Sequence, residues 1–313
     1  MLRADTKTAT SDISDPTTPT KGTEAASQGT IFSQILDETV QSPGTRTSLL
    51  RRLEELLGGR KALVFFTSFT YPVDIHVSDA DVIESMLQGG QSSRGLTLVL
   101  NSPGGDPLAP ERIVRVCRAY SNNDFEVIVP RAAKSAATMI CLGANTIHMG
   151  PTSELGPVDP QFEGQSVWSV IQAYDKLVKE AVAEKGRIEP YLLQLQALPY
   201  NASQIEQWLL WYKLSTDIVI KLLQQGMCNG KTREEIERKL KKLLDPEETM
   251  SHGRPIFREE AKEMGLAIKP IDLGSDLWAT LWEIYQRTDW YVSHQASKTI
   301  ESVDQSFQVS APS

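Results

Sequence analysis

The sequence predicts an α/β fold built on a parallel sheet, and three observations carry that expectation. Two short apolar runs, LTLVL at 96–100 and FEVIV at 125–129, have the length and β-branched content of buried parallel strands. A helix-like segment at 109–120 joins them, with Ile113, Val114, Val116 and Cys117 on its apolar face. A third run, Leu63-Val64-Phe65-Phe66, is followed by a helix start at Ser78-Asp79-Ala80-Asp81. Strand and helix alternating in this way imply βαβ units with right-handed crossovers.

In chain order, residues 1–30 are rich in Thr, Ser, Asp and Gly and hold almost no large apolar side chains. They are expected to form a disordered tail, because they cannot bury enough surface to offset the entropy of ordering. From 31 to 57 the spacing turns helical. Ile31, Ile35, Leu36 and Val40 make one stripe, Leu49, Leu50, Leu53, Leu56 and Leu57 a second, and Gly58-Gly59 ends it. The first strand at 63–66, a helix at 78–87 and the strand at 96–100 follow. Beyond the third strand, at 125–129, come a short helix from Ser135 to about Leu142 and a strand at 146–149. The run GPTSELGPVDP at 150–160 is expected to be loop, since its three prolines exclude regular pairing. After Gln165 the pattern is helical, with helices predicted over 166–184, 189–195, 203–225, 232–244, 258–265 and 275–291. The end, from Glu301, is polar and expected to be loose. The domain reading is a tail (1–30), an α/β core (31–165), a mostly helical part (166–300) and a loose end (301–313).

A chain of 313 residues with net charge −8 can bury a sizeable core but offers no basic surface for phosphates, which argues against a nucleic-acid partner. Cys117, Cys141 and Cys228 lie far apart without metal spacing and read as reduced thiols. No run reaches the roughly 18–20 apolar residues of a membrane span, and the N-terminus lacks an apolar signal core. A cytoplasmic protein without a transmembrane segment is expected.

In open α/β folds ligands sit just beyond the carboxyl ends of the strands. Here those ends run into Asn101-Ser102-Pro103-Gly104-Gly105-Asp106 and Arg131-Ala132-Ala133-Lys134-Ser135-Ala136-Ala137. Gly104 and Gly105 let the backbone approach a ligand and aim N–H groups at a developing oxyanion, though a tight turn needs the same glycines. Ser135 opens a helix beside small residues that leave its hydroxyl accessible. It reads equally as a nucleophile or an N-cap, with the Ala136 N–H as a further oxyanion donor. A serine nucleophile needs a base. Of the four histidines, His148 sits mid-strand and reads as structural, while His252 lies in a loop and remains a candidate. A desolvated lysine serves as well. Lys134 adjoins Ser135 but is expected to point away, and Lys176 and Lys179 lie on the following helix.

The stretch resembles the serine dehydrogenase proteinase family, which belongs with the signal peptide peptidase A and Clp protease group on the Clp/crotonase fold. The resemblance rests on Asn101-Ser102-Pro103-Gly104-Gly105, on Ser135-Ala136-Ala137-Thr138, and on Met149-Gly150-Pro151 continuing through Leu155-Gly156-Pro157-Val158-Asp159-Pro160-Gln161. His252-Gly253-Arg254-Pro255-Ile256, followed by Glu260-Ala261 and Gly265-Leu266, is similar to that family's C-terminal pattern. The likeness spans roughly residues 46–270 and implies a Clp/crotonase-like parallel sheet with ββα units and a helical C-terminal part. It implies a serine endopeptidase and homo-oligomer acting on protein or peptide substrates, with Ser135 as nucleophile, Gly104, Gly105 and Ala136 around the oxyanion, and Lys176 as base. His252 is the alternative base. Ala137 stands where relatives often have Gly, and a helical wheel sets Lys176 opposite the apolar stripe of Ile171, Tyr174, Val178 and Ala181. No metal or other cofactor is implied. Two other classes are an inactive assembly scaffold and a crotonase-type acyl-CoA enzyme, whose chemistry a serine at 135 does not explain.

Overall fold

In the computed structural model, which describes residues 30–38, 43–89, 92–158, 160–162, 165–183, 190, 194, 200–249 and 251–312, the apolar runs become strands as expected. The first half runs α1 (Ile31–Asp37), α2 (Pro43–Leu56), β1 (Lys61–Thr67), α3 (Asp79–Leu87), β2 (Leu96–Asn101), α4 (Ala109–Tyr120), β3 (Phe125–Val129), β4 (Ala132–Ala133), α5 (Ala136–Leu142) and β5 (Thr146–Met149). Next come β6 (Glu154–Leu155), β7 (Gln161–Phe162), β8 (Gln165–Ser166), α6 (Val167–Ala183), α7 (Ala202–Gln225), α8 (Arg233–Lys239), α9 (Lys241–Leu244) and α10 (Pro246–Thr249). The last part holds β9 (Ile256–Phe257), α11 (Arg258–Glu263), β10 (Ile268–Pro270), α12 (Asp276–His294), β11 (Ala296–Glu301) and β12 (Ser306–Ser310).

One sheet of seven strands, ordered β10-β5-β3-β2-β1-β11-β12, organises the molecule. The five strands from β10 to β1 pair in parallel, and β11 and β12 extend the sheet antiparallel. Both faces are covered, so the central strands are apolar almost throughout instead of alternating. Leu63, Phe65, Leu98, Leu100, Val127 and Val129 pack with α3, α4, α5 and α7 on one face. Ala62, Val64, Phe66, Val99 and Ile128 pack with α2 and α12 on the other. A second sheet, β4-β6-β9, stands beside the carboxyl ends of β2 and β3. Among the described residues, no helix is long and apolar enough to cross a membrane.

Four differences from the sequence reading have physical reasons. Residues 150–160 are not all loop: Glu154 and Leu155 pair with β4 and β9, because they fall between Pro151 and Pro157 and their own N–H groups remain available. The end of the chain is not loose either. Glu301 closes β11, and β12 pairs with it along the sheet edge. The helix expected over 232–244 breaks at Leu240 (φ −100°, ψ 20°) into α8 and α9. The helix over 275–291 continues to His294 as α12, capped at its start by Ser275, whose side chain accepts the Trp278 N–H at 3.1 Å. Of the helix over 189–195 only Pro190 and Gln194 are described, both helical, and the tail before Thr30 lies outside the described residues.

Candidate active site

The two loops singled out in the sequence meet at the carboxyl ends of β2 and β3. Ser102 joins them. Its N–H donates to the Ala132 carbonyl and its own carbonyl accepts the Lys134 N–H, both at 3.0 Å, so the nucleophile loop is stitched to the glycine loop like a short strand pair. Its hydroxyl, fully buried, accepts the Gly104 N–H at 3.0 Å and lies 2.6 Å from Thr67 Oγ1 at the end of β1. Asn101, also buried, accepts the Ala132 N–H at 3.1 Å through its Oδ1, while its Nδ2 reaches Asp289 Oδ1 on α12 at 3.4 Å.

Gly104 and Gly105 both need to be glycine, for different reasons. At φ 119°, a Cβ on Gly104 would come within 2.8 Å of the Ser135 Cβ and 2.9 Å of the Lys134 carbonyl oxygen. At φ 152°, a Cβ on Gly105 would strike the Ile75 backbone at 2.3 Å from its nitrogen. Ile75 grips this loop from outside: its N–H donates to the Gly104 carbonyl and its carbonyl accepts the Asp106 N–H, both at 2.9 Å. The Gly104 N–H, expected to be an oxyanion donor, donates to Ser102 Oγ in this structure. Among the described residues, neither the Gly105 N–H nor the Ala136 N–H forms a hydrogen bond.

Ser135 stands between β4 and α5 at φ 49°, ψ −118°, a conformation that costs on the order of 1–3 kcal/mol for a residue with a side chain. Its surroundings hold it there. The Met139 N–H donates to the Ser135 carbonyl at 3.0 Å, and Thr138 Oγ1 donates to the Ala133 carbonyl at 2.7 Å and reaches the Gly156 carbonyl at 2.9 Å. Ser135 occupies the cap position of α5, yet its side chain makes no capping hydrogen bond. The hydroxyl is thus free of the helix-capping role that competes with a nucleophilic reading.

Ser135 and Gly105 line a cleft of about 540 Å³ whose walls include Pro107, Met139, Val158, Trp211, Leu214 and Ser215, and His252 lines it as well. The structure therefore brings together Ser135, Gly105 and His252 from three distant segments. It does not bring Lys176 with them: Lys176 is exposed on α6, off the stripe of Val167, Ile171 and Tyr174 that packs against Ile205 and Trp208 of α7. Lys134 pairs with Glu154 at 2.8 Å. His148 is buried with its Nε2 2.9 Å from Glu126 Oε2, the structural part expected of it. That contact, aided by Arg60, holds the Glu126 carboxyl below the usual range against the opposing effect of burial. Behind the loops, burial pushes the Asp289 carboxyl up, with Arg131 opposing, and pushes the Tyr285 hydroxyl to about 12, reinforced by Asp289. A groove of about 630 Å³ between α7 and α8 holds Arg233 paired with Asp217 at 2.6 Å and Glu237 at 2.8 Å. Among the described residues, no group of His, Cys, Asp and Glu could hold a metal ion.

The sequence reading missed Thr67 and Ser102, which pin the glycine loop, and Asp74, Trp211, Leu214 and Ser215 on the cleft wall. Ser102 carried a signal, its place between a strand end and Pro-Gly-Gly; the wall residues carried none, because tertiary folding alone brings α7 to the loops.

An uncharacterized protein of Methanocaldococcus jannaschii is 27% identical over 272 residues, covering 82% of this chain and 85% of its own length. A second uncharacterized protein of the same organism is 25% identical over 217 residues, 69% of this chain and 66% of that relative. The ClpP-like SDH-type serine proteinases match residues 59–294, the span holding the parallel sheet, both loops and the cleft, and the chain belongs to that family.

Proposed function

We infer that this chain is a serine endopeptidase in which Ser135 Oγ attacks the carbonyl of a peptide bound in the cleft. One observation carries this reading: Ser135 is held in a strained backbone conformation, free of any capping bond, beside two unengaged N–H groups. As the tetrahedral intermediate forms, the Gly105 and Ala136 N–H groups take its oxyanion. A base accepts the Ser135 proton and returns it to the leaving amine; water then hydrolyses the acyl-enzyme. Membership of the family supports Lys176 as that base. It is exposed, whereas a lysine base works desolvated, so it acts once α6 closes over the cleft or a neighbouring copy of the chain presents it. The exposed apolar side chains Trp211 and Leu214 on the cleft wall support such a cover and a homo-oligomer. A second reading makes His252 the base, because it lines the cleft with Ser135.

Casein cleavage by wild type, Ser135→Ala, Lys176→Ala and His252→Ala tests both. Loss in Ser135→Ala and Lys176→Ala, with His252→Ala active, supports the dyad. Loss in His252→Ala with Lys176→Ala active moves the base to the histidine. A folded wild type that cleaves nothing argues for the assembly scaffold.

A further inference from the structure

We propose that the cleft beside Ser135 selects peptides with a lysine or arginine next to the bond that is cut, reading the cation with Asp74 and Asp106. The proposal rests on the peptidase reading for its consequence, but it is a statement about what the cleft binds.

The charges lining the cleft are lopsided. Asp74 and Asp106 face it, and among the described residues no Lys or Arg does. Both acids flank Gly105, whose N–H is the proposed oxyanion donor. Asp106 follows it in the chain, and the Ile75 bridge brings Asp74 so close that a Cβ on Gly105 would lie 2.9 Å from the Asp74 Cβ. A side chain next to the scissile carbonyl is therefore within reach of both. Neither acid has a cationic partner among the described residues; Asp106 Oδ1 accepts the Leu108 N–H at 2.9 Å. Two carboxylates lining one cleft without a cationic partner favour a cation there.

A second observation points the same way. Ser215 on α7 lines this cleft at 2% exposure, and its Oγ has no hydrogen-bond partner. A buried hydroxyl left unpaired costs free energy that a ligand's donor recovers. Met139, Val158, Trp211 and Leu214 line the same cleft. A cleft that combines apolar side chains with carboxylates and an unpaired hydroxyl suits the long aliphatic stem and cationic, donor-bearing head of Lys or Arg.

The test digests an equimolar peptide mixture with the full chain and maps the cuts by mass spectrometry, with wild type and Asp74→Asn/Asp106→Asn compared. Asparagine keeps the acceptor for the Leu108 N–H. Cuts beside Lys or Arg should dominate in wild type, and their ratio to cuts beside Leu or Met should fall about tenfold in the variant, the usual effect of losing a charged hydrogen bond. Casein cleavage with no Lys or Arg bias overturns the proposal and leaves the peptidase reading standing. An equal loss at every site also overturns it, since that is the mark of acids that position the base. A binding arm works without turnover: Ser135→Ala should bind a fluorescein-labelled peptide with central lysine about tenfold tighter than its glutamine counterpart, and adding the two asparagines should erase the difference. Equal binding of the two peptides overturns the proposal whether or not wild type cleaves.

Discussion

Ser102→Ala separates a glycine loop that is merely present from one that is held in place. The Ser102 hydroxyl accepts the Gly104 N–H at 3.0 Å and lies 2.6 Å from Thr67 Oγ1, all of it buried. Alanine leaves the Gly104 N–H and the Thr67 hydroxyl without this partner. A buried polar group left unsatisfied costs about 1–3 kcal/mol, so the expected loss of stability is about 2–6 kcal/mol for the two. Thr67→Val should cost only about 1 kcal/mol, because Ser102 still accepts from Gly104. The bonds from Ser102 N–H and carbonyl to the nucleophile loop survive both changes. What Ser102→Ala releases is one end of the segment that carries the Gly105 N–H, and a shift of about 1 Å at such a donor costs on the order of 10²-fold in rate. Urea unfolding followed by tryptophan fluorescence, with kcat on labelled casein, should show both effects, and the double variant should reveal a coupling of about 0.5–3 kcal/mol. A Ser102→Ala protein that loses stability but keeps kcat would refute the pinning argument.

Three more outcomes follow from the geometry. Gly105→Ala places a methyl 2.3 Å from the Ile75 nitrogen, so cleavage should fall by more than about 10²-fold while far-ultraviolet circular dichroism stays native, and an active Gly105→Ala would remove Gly105 as a donor. Lys298 on β11 pairs with Asp79 on α3 at 2.8 Å in the interior; Lys298→Met should cost about 3–5 kcal/mol in urea unfolding, and adding Asp79→Leu should recover most of it. The Tyr285 hydroxyl, pushed up to about 12 from 10.0, holds its proton more tightly in the folded state. Its contribution is therefore whole below pH 10 and lost as pH rises to about 12, and Tyr285→Phe should flatten the pH dependence of unfolding across that window.

The parts of the fold legible in the sequence are those whose cause is local. β2, α4, β3 and β5 announce themselves through β-branched runs and helical spacing, and β2 and β3 turn into loops at their carboxyl ends as the sequence reading placed them. β11 was illegible for a physical reason. Ala296-Ser297-Lys298-Thr299-Ile300-Glu301 reads as polar, yet every residue is buried, because Lys298 meets Asp79 and Glu301 meets Arg46 at 2.6 Å from far away in the chain. β12 pairs only with that strand, so it was hidden with it. β6 and β9 are two residues each and exist only through partners more than 20 residues away. In the site, Ser135 and the glycines could be named in advance, but which glycine N–H stays free depends on the direction of the Ser102 hydroxyl. Whether a lysine or a histidine shares the cleft depends on how distant helices and loops pack.

The most direct test of the account is the residue that a fluorophosphonate marks. The full chain is incubated with the probe, its intact mass measured and the adduct mapped by peptide sequencing. One adduct, on Ser135, lost in Ser135→Ala, is the predicted result. A natively folded chain that cleaves casein while the adduct falls on another serine would contradict Ser135 as the nucleophile.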